Sequence, residues 1–316
     1  MNRLIIVFAA ICFMAVMAWG ADRSTGLVPS EGFVEVTGGK VWYRIVGSGS
    51  RTPLLVLHGG PGVPSVYLKP LEALADDRPV IFYDQLGSGN SPSPTDTTLW
   101  TIERFVEEIA QVREALGLKE IHLYGHSWGT MIAVDYMLTK PAGIRSLVLA
   151  SPCLSVPRWI HDADSLLGTL PDSLQEVVRH HERENTTDTT EYQSAVMVYY
   201  EQFLARRQPW SDDLNSALEQ MNQAMYSYMW GPSEFTTTGT LSDYDRTDRL
   251  GEITIPTLLT AGQFDEAAPA TVEYYQSLIP GAEFALLKNC AHLTMHDDPI
   301  ADIRIIREFL AKVESK

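Results

Sequence analysis

Short, nearly continuous apolar runs recur through the first half of the chain: "LLVL" at 54–57, "VIFY" at 80–83, "IHLY" at 121–124 and "SLVLA" at 146–150. Each stops at Gly, Asp or Ser-Pro, as strands buried on both faces of a parallel sheet do. Ahead of them, Phe33–Thr37 and Val41–Val46 flank "GGK", the signal of a β-hairpin. Between the runs, residues 101–117 place Ile102, Phe105, Val106, Ile109, Val112 and Leu116 on one helical face, with Gly117 as the stop. The alternation predicts an α/β sheet with helices on both faces.

After Ser151-Pro152 the pattern changes. Residues 155 to about 250 are polar, rich in Tyr, Trp and Met, and helical in period without strand runs; "ENTTDTTEY" (184–192) reads as an exposed loop. The α/β pattern returns with "ITIPTLLTAG" (253–262), a helix around 269–279, "AEFALLK" (282–288) and a last helix from about 299. This order predicts a helical cap at 155–250, inserted between a first core part (21–154) and a second (251–316).

The N-terminus stands apart. Arg3 supplies a positive segment, Leu4–Ala18 an apolar one, and Ala18-Trp19-Gly20 the small residues a signal peptidase reads. The expectation is a signal peptide over 1–20, cut before Ala21, and export to the periplasm or beyond. The apolar stretch is short for a membrane span, so no stable span is expected after cleavage, with an uncleaved anchor as the alternative.

The formal charge is −16 and the sequence pI about 4.9, which disfavours a nucleic-acid partner. Cleavage would leave only Cys153 and Cys290. An oxidising compartment leaves one bridge open to them, and two free buried thiols are the expectation. No Cys/His spacing suggests a metal, and no cofactor is called for.

The chemistry lies at the strand ends. "GHSWG" (125–129) falls between a strand and a helical stretch, the context of the Gly-x-Ser-x-Gly nucleophile elbow, with Ser127 as nucleophile. "HGGPG" (58–62) follows another strand and offers the Gly60 N–H as an oxyanion donor beside that of Trp128. Eight histidines compete as base. His122 is mid-strand, and His296 falls four residues after His292 at the start of a helix, so His292 in "NCAHLTMHDD" is the choice. The acid must follow the preceding strand, and in "GQFDE" Asp265 comes first after the turn. Ser127 excludes chemistry that needs an aspartate at the elbow. These residues alone leave Glu266 without a task.

Taken together, "HGGPG", "DQLGSGNS" (84–91), "GHSWG", "WGPSEFTTTGTLSDYD" (230–245), "GQFDE" and "CAHLTM" resemble proline iminopeptidases of the α/β-hydrolase superfamily. The likeness is closest to the tricorn-interacting aminopeptidase type and runs from about residue 31 to the C-terminus. It implies an α/β-hydrolase fold and a serine aminopeptidase releasing an N-terminal residue, often proline, from short peptides or amino-acid amides with a free N-terminus. It also implies that Glu234 and Glu266 bind the substrate ammonium. The elbow residue His126 is common in esterases, so an esterase, lactonase or amino-acid amidase on the same triad is the alternative. A hydrolase fold that only binds is the other.

Overall fold

The computed structural model describes residues 26–315; the expected signal peptide lies outside them. Eight strands form one sheet: β1 (Ser30–Val36), β2 (Gly39–Val46), β3 (Leu54–Leu57), β4 (Val80–Tyr83), β5 (Ile121–His126), β6 (Ile144–Ala150), β7 (Thr257–Gly262) and β8 (Glu283–Leu287). Their spatial order is β1-β2-β4-β3-β5-β6-β7-β8. β1 and β2 form the hairpin and β2 runs antiparallel to β4, while all pairs from β4 to β8 are parallel. Strands β3, β4, β5 and β7 are buried at every position, as their largely apolar runs require.

Helices α1 (Ile102–Ala115) and α2 (Trp128–Leu138) follow β4 and β5. The Thr101 hydroxyl caps α1 by accepting the Arg104 N–H. At its other end the Leu118 N–H reaches the Arg113 carbonyl at 2.8 Å and the Gly117 N–H that of Glu114 at 3.1 Å. Gly117 adopts φ 65° there, which satisfies the last carbonyls of the helix.

Between β6 and β7 come five α-helices, α3 (Val156–Leu167), α4 (Asp172–Glu184), α5 (Thr190–Phe203), α6 (Asp212–Glu219) and α7 (Gln223–Met229), then a 3-10 turn at Leu250–Glu252, and no named strand. The exposed loop expected at 184–192 is shorter. Glu184 closes α4, and Thr190–Tyr192 already belong to α5, where Tyr192 is buried. The hydroxyls that look loop-like in sequence are used at the joint: the Thr189 side chain caps α5, and Asn185 ends α4 in a left-handed conformation. The remainder is α8 (Pro269–Leu278), the single turn α9 (Thr294–Asp297) and α10 (Pro299–Glu314). The hairpin begins at Ser30, three residues before the first apolar position used to place it, because Ser30 and Glu31 pair with Ile45 and Arg44. Cys153 and Cys290 are both buried and unbridged.

Parallel strands put all their carboxyl ends on one edge of the sheet, and loops there converge at the crevice beyond it. The loops after β3, β5, β6, β7 and β8 carry "HGGPG", Ser127, Ser151, Asp265-Glu266 and His292 respectively.

Candidate active site

Ser127 is the N-cap of α2, at φ 53° and ψ −123°. A non-glycine residue holds such a backbone only when its surroundings over-determine it. They do so here by close approach. A Cβ on Gly125 would lie 2.5 Å from the Gly129 carbonyl oxygen, and one on Gly129 would lie 2.3 Å from that of Leu57. Only glycines let the elbow fold onto itself and onto the end of β3. The Ser127 N–H donates to the Ala150 carbonyl at 3.1 Å, tying the elbow to β6.

His292 is 3 % exposed, and its Nδ1 lies 2.7 Å from Asp265 Oδ1. That bond holds the proton on Nδ1 and leaves the Nε2 lone pair for a proton acceptor's task. Asp265 is fully buried, and three further donors reach its carboxylate. Its Oδ2 accepts from the Ser151 hydroxyl at 2.6 Å and the Gly262 N–H at 3.1 Å, and its Oδ1 accepts from the Ala267 N–H at 2.8 Å; the Ser151 hydroxyl also lies 2.8 Å from the His292 carbonyl. Ser151 itself adopts φ 47°. The ring of Trp159, from α3, meets the His292 imidazole edge-on at 5.5 Å.

The other histidines are otherwise engaged. His122 is buried within the sheet against Ser146 at 2.7 Å. His296 donates Nε2–H to the Tyr67 carbonyl at 2.7 Å. His58 accepts the Gln85 N–H at Nε2 and faces its neighbour's carbonyl through Nδ1.

Gly60 lies at φ 113°, and a Cβ there would meet the Gly62 nitrogen at 2.6 Å. Trp128 opens α2, so its N–H is among those a helix leaves without an internal partner. Its indole points away from the cavity and donates to Gln85 Oε1 at 2.8 Å, while Gln85 Nε2 donates to the His58 carbonyl at 3.0 Å. Gln85 thereby joins the two loops that offer these amides.

A second linkage runs through His126. Burial, and next the charge of His292, hold its imidazole well below the ordinary pKa, so the ring is neutral. Its Nε2 faces the His292 carbonyl at 3.1 Å and must donate, which leaves Nδ1 to accept from the Tyr67 hydroxyl at 2.8 Å. The Tyr67 oxygen in turn accepts the Gly59 N–H at 2.7 Å. Loop 58–62, the elbow and the histidine loop are thus held in one line. Tyr67→Phe breaks it at the middle and is expected to lower kcat about tenfold with KM little changed, short of the 10²–10³ for losing an oxyanion donor itself. His126→Gln, which can still donate and accept, should keep more of kcat than His126→Leu. Steady-state kinetics on the three variants checks this, and equal losses would sink it.

Gly60, Ser127, His292, Glu234 and Glu266 line one cavity of about 280 Å³, with Asp265 behind His292. Glu266 is 2 % exposed, and its Oε1 lies 3.7 Å from His292 Nε2. Its Oε2 is buried with no hydrogen-bond partner among the described residues. Burial, with the charges of Glu234 and Asp265 added, pushes the Glu266 carboxyl well above the usual range. Glu234 opens onto the cavity and accepts the Tyr226 hydroxyl; burial raises its pKa too, against the pull of that bond and of His292. Among the described residues no cluster of His, Cys, Asp and Glu has the arrangement of a metal site.

Ser151, Tyr67, Gln85 and Tyr226 escaped sequence reasoning. Ser151 and Gln85 do stand just past strand ends, a signal that could have flagged them. Tyr67 and Tyr226 carry no such mark.

The strand order, the elbow and the inserted helices define an α/β hydrolase, and residues 52–299 match the alpha/beta hydrolase fold family. The chain is 47% identical over 288 residues to a proline iminopeptidase of Heyndrickxia coagulans, which spans 90% of this chain and 99% of the relative. To one of Thermoplasma volcanium it is 34% identical, over 89% of this chain and 97% of the relative. The crystal structure of a Mycobacterium smegmatis proline iminopeptidase aligns with a TM-score of 0.84 at 32% identity, covering 90% of this chain and 98% of that one. The chain belongs to the proline iminopeptidase family.

Proposed function

We propose that the protein is a serine aminopeptidase that releases an N-terminal residue, proline foremost, from short peptides or amino-acid amides with a free N-terminus. Ser127, deprotonated by His292, attacks the carbonyl of the first residue. Asp265 keeps the His292 tautomer, the N–H groups of Gly60 and Trp128 receive the oxyanion, and His292 protonates the leaving amine. Water then releases the acyl group by the reverse sequence.

One observation carries the substrate assignment. Glu266 is a buried carboxylate beside the proposed base, with one oxygen unpartnered by protein. Such a group is costly unless a cation or donor meets it. An ammonium held between Glu266 and Glu234 supplies both and sets the chain end in register with Ser127. Residues 155–250 serve as the cap that closes this pocket, contributing Glu234 and Tyr226 to its lining.

Comparing L-prolyl-p-nitroanilide, its N-acetylated form and p-nitrophenyl butyrate on the purified protein tests the reading. Cleavage of the free amine with refusal of the acetylated form is expected. Turnover of the ester alone would move the chain to the esterases. Export to the periplasm or medium is part of the same proposal, supported by Arg3, the apolar run 4–18 and the small residues around 20. N-terminal sequencing of the protein from fractionated cells should then begin at Ala21, and an intact Met1 would refute it.

A further inference from the structure

We infer that the site discriminates against negative charge on the leaving-group side of the scissile bond. Its substrates would be peptides and amides whose second residue is not acidic and whose C-terminal carboxylate is blocked or lies well beyond that residue. The inference rests on the aminopeptidase reading and deepens it.

The lining of the cavity is lopsided in charge. Among the described residues that line it there is no Lys or Arg, while Glu234 and Glu266 both face it. The two glutamates lie among Tyr192, Tyr200 and Tyr226, whereas Val63, Leu204, Leu214, Leu218 and Leu293 supply another wall and pack within one apolar cluster. Arg206, two residues beyond Leu204, is turned onto the Phe264 ring at 3.9 Å and does not line the cavity. One substrate ammonium set between Glu234 and Glu266 is already matched to these carboxyls and leaves no positive charge in the lining for a second anion.

Two extended residues span only about 7 Å, so a dipeptide held by its ammonium keeps its carboxylate within the same enclosure. There it meets either apolar side chains or like charge, at an effective dielectric well below that of water. A blocked C-terminus escapes the penalty, and so does a longer peptide, whose carboxylate reaches solvent past the exposed Gln193, Met197 and Gln223 at the rim.

The test compares Pro-Asn-NH2 with Pro-Asp-NH2, which match in size and leaving group but differ in charge, on the wild type and on Leu218→Arg. Leu218 is only partly buried, which leaves room for a guanidinium at the cavity wall. In the wild type, kcat/KM for the Asn amide should exceed that for the Asp amide by at least about tenfold, carried mainly by KM. Leu218→Arg should shrink that ratio by roughly threefold or more. A wild-type ratio within about twofold overturns the inference, whether or not the variant folds. An unchanged ratio in a folded Leu218→Arg protein overturns it as well. Hydrolysis of neither amide, with p-nitrophenyl butyrate turned over, overturns the aminopeptidase reading and this inference with it.

Discussion

Ser127→Ala is expected to abolish turnover of peptide, anilide and ester substrates alike, with kcat falling by about 10⁵–10⁶-fold. The elbow geometry explains why the loss should be chemical rather than structural. Alanine retains the Cβ that Ser127 already places at φ 53°, so the strained turn is no worse than in the wild type. Its N–H still donates to the Ala150 carbonyl, and the flanking glycines still permit the close approach to β3. Residual catalysis would come from the oxyanion amides and binding alone. Thermal melting should show Tm unchanged within a degree or two, and a fluorophosphonate probe that labels the wild type should fail on the variant. A variant that retains substantial kcat would remove Ser127 from the mechanism.

Glu266→Gln should separate stability from activity. Burial, with the charges of Glu234 and Asp265, holds the Glu266 carboxyl well above the ordinary range. A carboxyl whose folded pKa is raised contributes stability below its unfolded pKa and loses it as pH rises through the folded one. As pH rises from the unfolded pKa toward the folded one that stability is lost, and the neutral amide, which does not titrate, escapes the loss. We expect Tm to rise by a few degrees at pH 8 and to change little at pH 4. The same substitution removes one of two anions proposed to hold the substrate ammonium. kcat/KM for L-prolyl-p-nitroanilide should drop by roughly 10²-fold, mostly in KM, while p-nitrophenyl butyrate is spared.

The pH dependence follows from the same group. In the wild type the anilide should lose kcat/KM on acidification through the raised carboxyl pKa, over and above any loss shared with the ester, which has no ammonium to bind. Glu266→Gln should bring the two acid limbs together. Equal losses on both substrates would show that Glu266 acts on the base, 3.7 Å away, rather than on the ammonium. Activity gained at the expense of a destabilised site is a recurrent trade.

Much of this architecture was legible along the chain, because its causes are local. Strands buried on both faces read as nearly continuous apolar runs, and "LLVL", "VIFY" and, with His122 as the exception, "IHLY" do. A nucleophile elbow needs glycines two residues either side of the serine, so "GHSWG" is visible without a fold. The chain order Ser127, Asp265, His292 then follows from strand order, since each residue sits in the loop after a parallel strand. The joint between α4 and α5 is shorter than its sequence suggests because Thr and Asn serve both as caps and as loop residues.

Other features belong to the tertiary structure alone. Ser151 and Asp265 lie 114 residues apart, and Tyr67 and His126 lie 59 apart. No periodicity joins them; the sheet does, by bringing the ends of five parallel strands to one edge. Adjacent Asp265 and Glu266 are chemically near-equivalent in sequence, yet folding gives the carboxylate of the first four hydrogen bonds and leaves an oxygen of the second bare. The order of residues along the chain dictates which side chains stand at the strand ends. Which of them are satisfied by protein, and which are left for a substrate, was decided only by three-dimensional packing, because the partners of a buried polar group are chosen by proximity in space and not along the chain.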